Sequence, residues 1–146
     1  TPIKDSQGGY IPVEDAIAYY VQVSAAGLMV GGGWYAPEGE QVARYRASVD
    51  SPVGAELERI LAKTGKRFEF DGRPLKTRPK GYEADHPRID LLRNRRVVVS
   101  RMYPVEPWLS TRKAFTQVRA DWRAIRPLIE WLADYVGPAT PPDRAE

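Results

Sequence analysis

The chain has 146 residues, enough to bury a hydrophobic core without metal ions or disulfides, and it suits a single domain. It contains no cysteine and only one histidine, which excludes disulfides, thiolate zinc sites, a cysteine nucleophile and histidine-rich metal sites. The net charge is +3, but residues 63–101 carry twelve Lys or Arg against five Asp or Glu, a net charge of +7. This basic third predicts either an anionic partner or a solvated arginine-rich face.

The first part of the chain predicts a β-hairpin. Residues 1–13 contain two adjacent glycines and Pro12 and are predicted as a loop that leads into the first strand. Ala16–Val23 is rich in β-branched and aromatic residues and predicts a strand. A turn over residues 24–27 returns the chain to a second strand that begins at Leu28.

Three consecutive glycines, Gly31–Gly33, predict an interruption of that strand before a helix over residues 38–49. A strand, a glycine run and a helix N-terminus can cradle an anion on free backbone N–H groups. The alternative is that the glycines permit a bulge or close backbone packing under a large side chain such as Trp34.

A second helix and a short strand follow. Asp50 or Ser51 is predicted to cap this helix, with Pro52 in its first turn and Gly65 at its end. Arg67–Phe70 alternates between polar and apolar residues, which predicts a short strand.

The second half of the chain predicts an interior strand and a long helix. Val97–Met102 is apolar on both faces at its start, which is typical of a strand with neighbours on both sides. Ser110 is predicted to cap the long helix. The apolar residues of this helix, from Phe115 to Val136, recur at steps of three and four. Pro127 falls inside this helix and predicts a kink. We predict one domain over residues 1–137 and a disordered tail over residues 138–146.

These elements predict an α+β fold, a mostly antiparallel sheet with packed helices, of which the long C-terminal helix is kinked near Pro127.

Three segments together resemble the bacterial and fungal family called domain of unknown function (DUF) 2461. They are Gly31–Pro37, Leu75–Leu92 and Val99–Arg101, in that order and spacing, followed by the long helix. Thr1–Lys4 resembles a further family segment, although Ile3 stands where the family usually has Tyr. The resemblance implies that an N-terminal portion of several dozen residues is missing from this chain. It implies kinship and no particular chemistry.

Leu75–Leu92 concentrates the polar residues that could form a site. If the segment is extended, Lys76, Arg78 and Lys80 lie on one side of it, about 7 Å apart, and could contact phosphate oxygens. The alternative is a charged edge strand that resists aggregation. A short helix is predicted from Pro87 to Arg93.

His86 is the predicted catalytic residue, a neutral acid or base at the N-terminus of that short helix. Its neighbour Asp85 cannot readily orient it, so an orienting carboxylate would have to come from elsewhere in the chain. The alternative is that His86 or Asp85 caps the helix. The predicted ligand-binding residues are Lys76, Arg78, Lys80, Tyr82, Asp85 and Arg101.

The sequence leaves three functions open. The first is binding of a small phosphorylated or carboxylated ligand at this basic strand-to-helix motif, with or without catalysis. The second is a nucleic-acid-binding module that uses the same basic face with Tyr82, Phe68 and Phe70. The third is a scaffold or interaction domain in which the motif only holds the fold together. We predict no cofactor, no metal site, no membrane partner and a cytoplasmic location, and we leave the oligomeric state open.

Overall fold

A computed structural model describes residues 6–139 and has an α+β fold, as predicted. The elements are β1 (Ser6–Glu14), β2 (Ile17–Ser24), β3 (Gly27–Trp34), α1 (Gly39–Val49), α2 (Val53–Thr64), β4 (Glu69–Asp71), α3 (Ile89–Leu92), β5 (Val97–Tyr103), a 3₁₀ turn (Pro107–Ser110) and α4 (Arg112–Tyr135). Thr1–Lys4 and residues 140–146 of the predicted tail lie outside the described residues.

The five strands form one antiparallel sheet in the order β1-β2-β3-β5-β4. β5 lies between two neighbours, as predicted for an interior strand. The prediction of a loop over residues 1–13 is wrong from residue 6 onward, because β1 pairs with β2 along its length. β1 is an edge strand, and an edge strand tolerates Pro12 because one side of its backbone is not needed for the ladder.

The triple glycine Gly31–Gly33 lies inside β3 and does not interrupt it, because its backbone pairs with β2 and β5. A Cβ on the first glycine would lie 2.5 Å from the ring of Tyr20, and a Cβ on the second would lie 3.2 Å from the side chain of Ile125 in α4. The predicted anion cradle therefore does not form here. Close packing is the reason for the glycines, and their large neighbours are Tyr20 and α4 where we expected Trp34.

Helix α4 lies across one face of the sheet and closes the core. It runs for 24 residues, with Pro127 inside it, and its side chains pack against β3, β2 and α2. Two indole N–H groups attach it to the rest of the fold: Trp122 donates to the carbonyl of Tyr20 at 3.1 Å and Trp131 to the carbonyl of Val53 at 3.0 Å. None of the helices within residues 6–139 has an apolar stretch long enough to cross a bilayer.

Several boundaries differ from their predictions by one or two residues. Thr111, and not Ser110, caps α4 by accepting a hydrogen bond from the backbone N–H of Lys113. The strand predicted at Arg67–Phe70 is β4, shifted toward the C-terminus, and the helix predicted from Pro87 to Arg93 is the shorter α3. Such shifts arise because the tertiary partners of a segment decide which residues complete a ladder or a helical turn.

Candidate anion-binding site

The segment that holds most of the predicted site is an irregular loop over residues 72–88, which we call the central loop. No strand forms in it, so Lys76, Arg78 and Lys80 are not held on one side of an extended edge strand as predicted. The loop is attached to the chain that follows it by backbone hydrogen bonds from Leu75 to Arg93 and from Arg95 to Gly72, both 2.8 Å long.

Both ring nitrogens of His86 are engaged inside the protein. Nε2 lies 2.6 Å from a carboxylate oxygen of Asp50, at the end of α1, and Nδ1 accepts the backbone N–H of Arg88 at 2.9 Å. Because Nδ1 accepts, the neutral ring carries its proton on Nε2 and donates it to Asp50. Asp50 is thus the distant carboxylate that orients His86. The imidazole supports the N-terminus of α3, and neither nitrogen is open to a ligand in this arrangement.

The arginines in and after the central loop mostly stabilise it from within. Five of them donate to a backbone carbonyl or a carboxylate, and the loop carbonyls of Arg73, Leu75 and Tyr82 gain a partner in this way. The contacts are Arg78 to Tyr82 O (2.8 Å), Arg88 to Glu58 (3.1 Å) and Val49 O (3.2 Å), Arg93 to Leu75 O (2.7 Å), Arg95 to Arg73 O (2.6 Å) and Arg96 to Asp71. Much of the +7 charge is therefore used for internal contacts.

The remaining predicted residues are spread over two regions. Lys76, Lys80 and Asp85 have exposed side chains on the central loop. Tyr82 is half-buried and packs its ring edge-on against His86, with ring centroids 6.3 Å apart. Arg101 lies elsewhere, on β5, with its guanidinium 4.8 Å from the ring centroid of Tyr103. The assignment of these residues to a ligand site, and of His86 to catalysis, stays a prediction.

A second basic site lies between α2 and α4. This α2–α4 groove has a volume of about 490 Å³ and a largely apolar floor. Ala120 and Ala124 leave it open because their side chains are short, and Ile60, Phe68 and Pro127 complete the floor and sides. The three residues from α4, at positions 120, 124 and 127, lie on one flank of that helix because of its periodicity.

Four basic side chains surround the groove. Arg59 and Lys63 project from one side of α2 at positions i and i+4, and Arg123 projects from α4 on the opposite side. Arg67 closes one end. Within residues 6–139, Arg59, Lys63 and Arg123 form no salt bridge. A concave site lined by unneutralised charges of one sign focuses its potential on the space between them.

One carboxylate beside the groove, that of Asp121, is buried and already engaged. Asp121 has no exposed surface, accepts the hydroxyl of Tyr103 at 2.6 Å and the amide of Gln117 at 3.0 Å, and lies 3.7 Å from the guanidinium of Arg67. Burial and the hydrogen bond from its hydroxyl to Asp121 raise the pKa of Tyr103 to about 12. Asp121 therefore pairs with Arg67, and the other three cations of the groove have no ion-pair partner among residues 6–139.

A family model described as "Conserved hypothetical protein (DUF2461)" matches residues 1–131. The chain belongs to this family. Comparison with curated proteins and with solved structures finds no match. The DUF2461 match covers β1 through most of α4, and so it includes both the central loop and the α2–α4 groove.

Sequence reasoning overlooked the α2–α4 groove. The sequence pattern that could have indicated it is weak. It consists of Arg59 and Lys63 at helical spacing and of basic residues repeated along α4, and any solvated helix face has such a pattern. In the part of the chain that the structure describes, no group of three His, Asp or Glu side chains is placed to hold a metal ion.

Proposed function

We propose that this DUF2461 protein binds a small phosphorylated or carboxylated ligand in the α2–α4 groove. The observation that carries the proposal is the set of Arg59, Lys63 and Arg123, which face one groove and have no salt bridge within the described residues. Fork-shaped guanidinium groups on both sides suit an anion with several oxygen atoms.

The floor of the groove favours a ligand that also has an apolar part. Ile60, Phe68, Ala124 and Pro127 lie between the basic side chains, so a bare ion would leave this surface in contact with water. A flat apolar group of the ligand would cover it, at a gain of roughly 25 cal/mol per Å² buried. A nucleoside monophosphate has both parts and serves as a test ligand.

The central loop supports this function less well. Its Arg78 and Arg88 are used for internal contacts. The groove that borders it contains two carboxylates, Glu58 and Asp90, beside Leu61, Phe70 and Leu91. That arrangement favours the scaffold alternative for the central loop. Lys76 and Lys80 remain exposed and define the competing location for an anion.

Isothermal titration calorimetry with adenosine monophosphate and with inorganic phosphate tests the proposal. We expect the nucleotide to bind more tightly than phosphate, and the triple variant Arg59→Gln/Lys63→Gln/Arg123→Gln to weaken it by at least tenfold. Loss of two or three charge-assisted contacts at an exposed site justifies that figure. A control for the loss of one charge is Arg126→Gln, on α4 but outside the groove, where the side chain is 68% exposed and paired with Glu130.

Two results would overturn the proposal. The first is absence of binding for both anions at about 50 mM salt, where surface electrostatics are least screened. The second is binding that survives the triple variant but disappears in Lys76→Gln/Lys80→Gln, which would move the site to the central loop.

A further inference from the structure

The α2–α4 groove is the end of a longer basic surface along one flank of α4. A second depression, lined by Lys66, Arg67, Phe68, Glu69 and Arg101 among others, shares two of these residues with the groove. A third is lined by Trp108, Arg112, Lys113, Thr116 and Gln117. We call the three together the basic trough.

The ring of Tyr103 joins the second depression to the third. Arg101, from the second depression, lies over this ring, and Trp108, from the third, packs edge-on against it with centroids 5.3 Å apart. Asp121 contacts one residue of each depression: Arg67, which lines the second, and Gln117, which lines the third. The depressions are thus neighbours held by one buried cluster.

The charge of the basic trough is almost entirely positive. Eight basic side chains line it: Arg59, Lys63, Lys66, Arg67, Arg101, Arg112, Lys113 and Arg123. Among the described residues that line it, Glu69 is the one carboxylate, and Glu106 lies beside it as the acceptor of the Trp108 indole N–H. Two exposed acids, Glu69 and Glu106, against eight basic groups leave a net attraction for a polyanion.

The shape of the basic trough suits a single extended chain. Lys113 and Pro127, at its two ends, are separated by about 21 Å along α4 at 1.5 Å per residue. Packed helices lie only about 8–10 Å apart, so the groove between α2 and α4 is too narrow for a nucleic acid duplex. The apolar floor, which includes the buried Phe68, lies between the cations of the groove, and the half-buried Trp108 lies beside those of the third depression.

We infer that the basic trough binds single-stranded nucleic acid, with phosphates on the basic side chains and bases against Trp108 and the apolar floor. This inference rests on the proposed function, since the nucleotide in the α2–α4 groove would be one unit of the strand. The length of the trough corresponds to a site of roughly four nucleotides, the lower end of the range for single-strand modules.

Fluorescence anisotropy with labelled oligothymidylates of 2 to 12 nucleotides tests the inference. We expect affinity to rise with oligonucleotide length up to roughly four to six nucleotides. The logarithm of the association constant should fall with the logarithm of the salt concentration at a slope of about −3, the value for four phosphate contacts. Arg112→Gln/Lys113→Gln should weaken binding of the 12-mer about tenfold, as two screened phosphate contacts would. The same variant should leave the affinity for adenosine monophosphate unchanged.

The matched control is Arg119→Gln/Arg126→Gln, which removes the same charge from α4 outside the basic trough. It should keep 12-mer affinity within about twofold of the wild type, since long-range charge effects are screened. An equal loss of 12-mer affinity in both double variants would overturn the inference, because it would show that only the net charge of the protein matters.

Three further outcomes would also overturn it. They are affinity that does not rise with length, equal affinity for a duplex of the same length, and displacement of the 12-mer by inorganic polyphosphate as efficiently as by unlabelled 12-mer. If the nucleotide still binds in the groove, only the strand inference fails. If the nucleotide does not bind either, the proposed function fails with it.

Discussion

His86 and Asp50 are joined by a 2.6 Å hydrogen bond that attaches the central loop to the end of α1. The Arg88 N–H donates to Nδ1 at 2.9 Å, so both ring nitrogens form hydrogen bonds within the fold. The only histidine of the chain therefore stabilises the junction of α1 and α3, and its substitution has a predictable effect on folding.

We expect His86→Ala to lower the free energy of unfolding by about 1–2 kcal/mol, because two hydrogen bonds are lost at a half-buried position. His86→Asn should recover part of the loss, since its carbonyl can still accept the backbone N–H two residues on. Asp50→Asn keeps an acceptor for Nε2–H and should cost less than about 0.5 kcal/mol. Urea denaturation measures all three, and wild-type stability in His86→Ala would contradict the structural role.

Tyr103 should ionise at a higher pH than an ordinary tyrosine because its hydroxyl is buried and donates to Asp121. Its pKa of about 12 lies above the ordinary value of 10.0, so the folded state keeps a proton that the unfolded state releases. This contribution to stability is complete below pH 10 and is lost as the pH rises toward 12. The difference in tyrosinate absorbance between wild type and Tyr103→Phe, followed against pH, should have its midpoint near 12. A midpoint near 10 would contradict the burial of this hydroxyl.

Gln41 is fully buried and uses the whole hydrogen-bonding capacity of its amide. The oxygen accepts from the Trp34 indole (3.2 Å) and the Glu38 backbone (3.1 Å), and the nitrogen donates to the carbonyls of Asp15 (2.8 Å) and Gly137 (2.9 Å). Gln41→Leu should cost about 3 kcal/mol, because these partners lose their contacts in the interior.

Gln41→Glu should cost at least as much at pH 7, since it turns a carboxylate toward two carbonyls. The penalty should shrink toward pH 4, where the buried carboxyl is protonated and can donate again. Urea denaturation at both pH values, always relative to wild type, measures the change. A penalty that is the same at both pH values would contradict this prediction.

Local patterns predicted most of the fold. The steps of three and four in α4, the β-branched run of β2 and the apolar start of β5 each reflect a periodicity that one element imposes on its own sequence. Non-local packing decided the rest. Gly31–Gly33 resembled a break, but the reason for the glycines lies in Tyr20 and in α4, about ninety residues further on.

The candidate site was harder to predict for the same reason. The sequence placed the excess of charge in residues 63–101, and the structure uses most of those arginines within the central loop. Arg59 and Arg123 are 64 positions apart and meet only because α2 packs against α4. His86 and Asp50 likewise meet through the fold, so the need for a distant carboxylate could be predicted but its identity could not.

Gly31 and Gly9 offer a direct test of why β3 contains glycine. A Cβ at position 31 would lie 2.5 Å from the Tyr20 ring and 2.6 Å from the carbonyl of Val99, whereas a Cβ at position 9 would meet nothing within 4 Å. Gly31→Ala should therefore cost about 2–3 kcal/mol through overpacking. Gly9→Ala, also in a strand, should be neutral or stabilise by up to about 1 kcal/mol, because it lowers the entropy of the unfolded chain. Thermal and urea denaturation of the pair measure the difference, and equal stabilities would contradict the close packing of Tyr20 on β3.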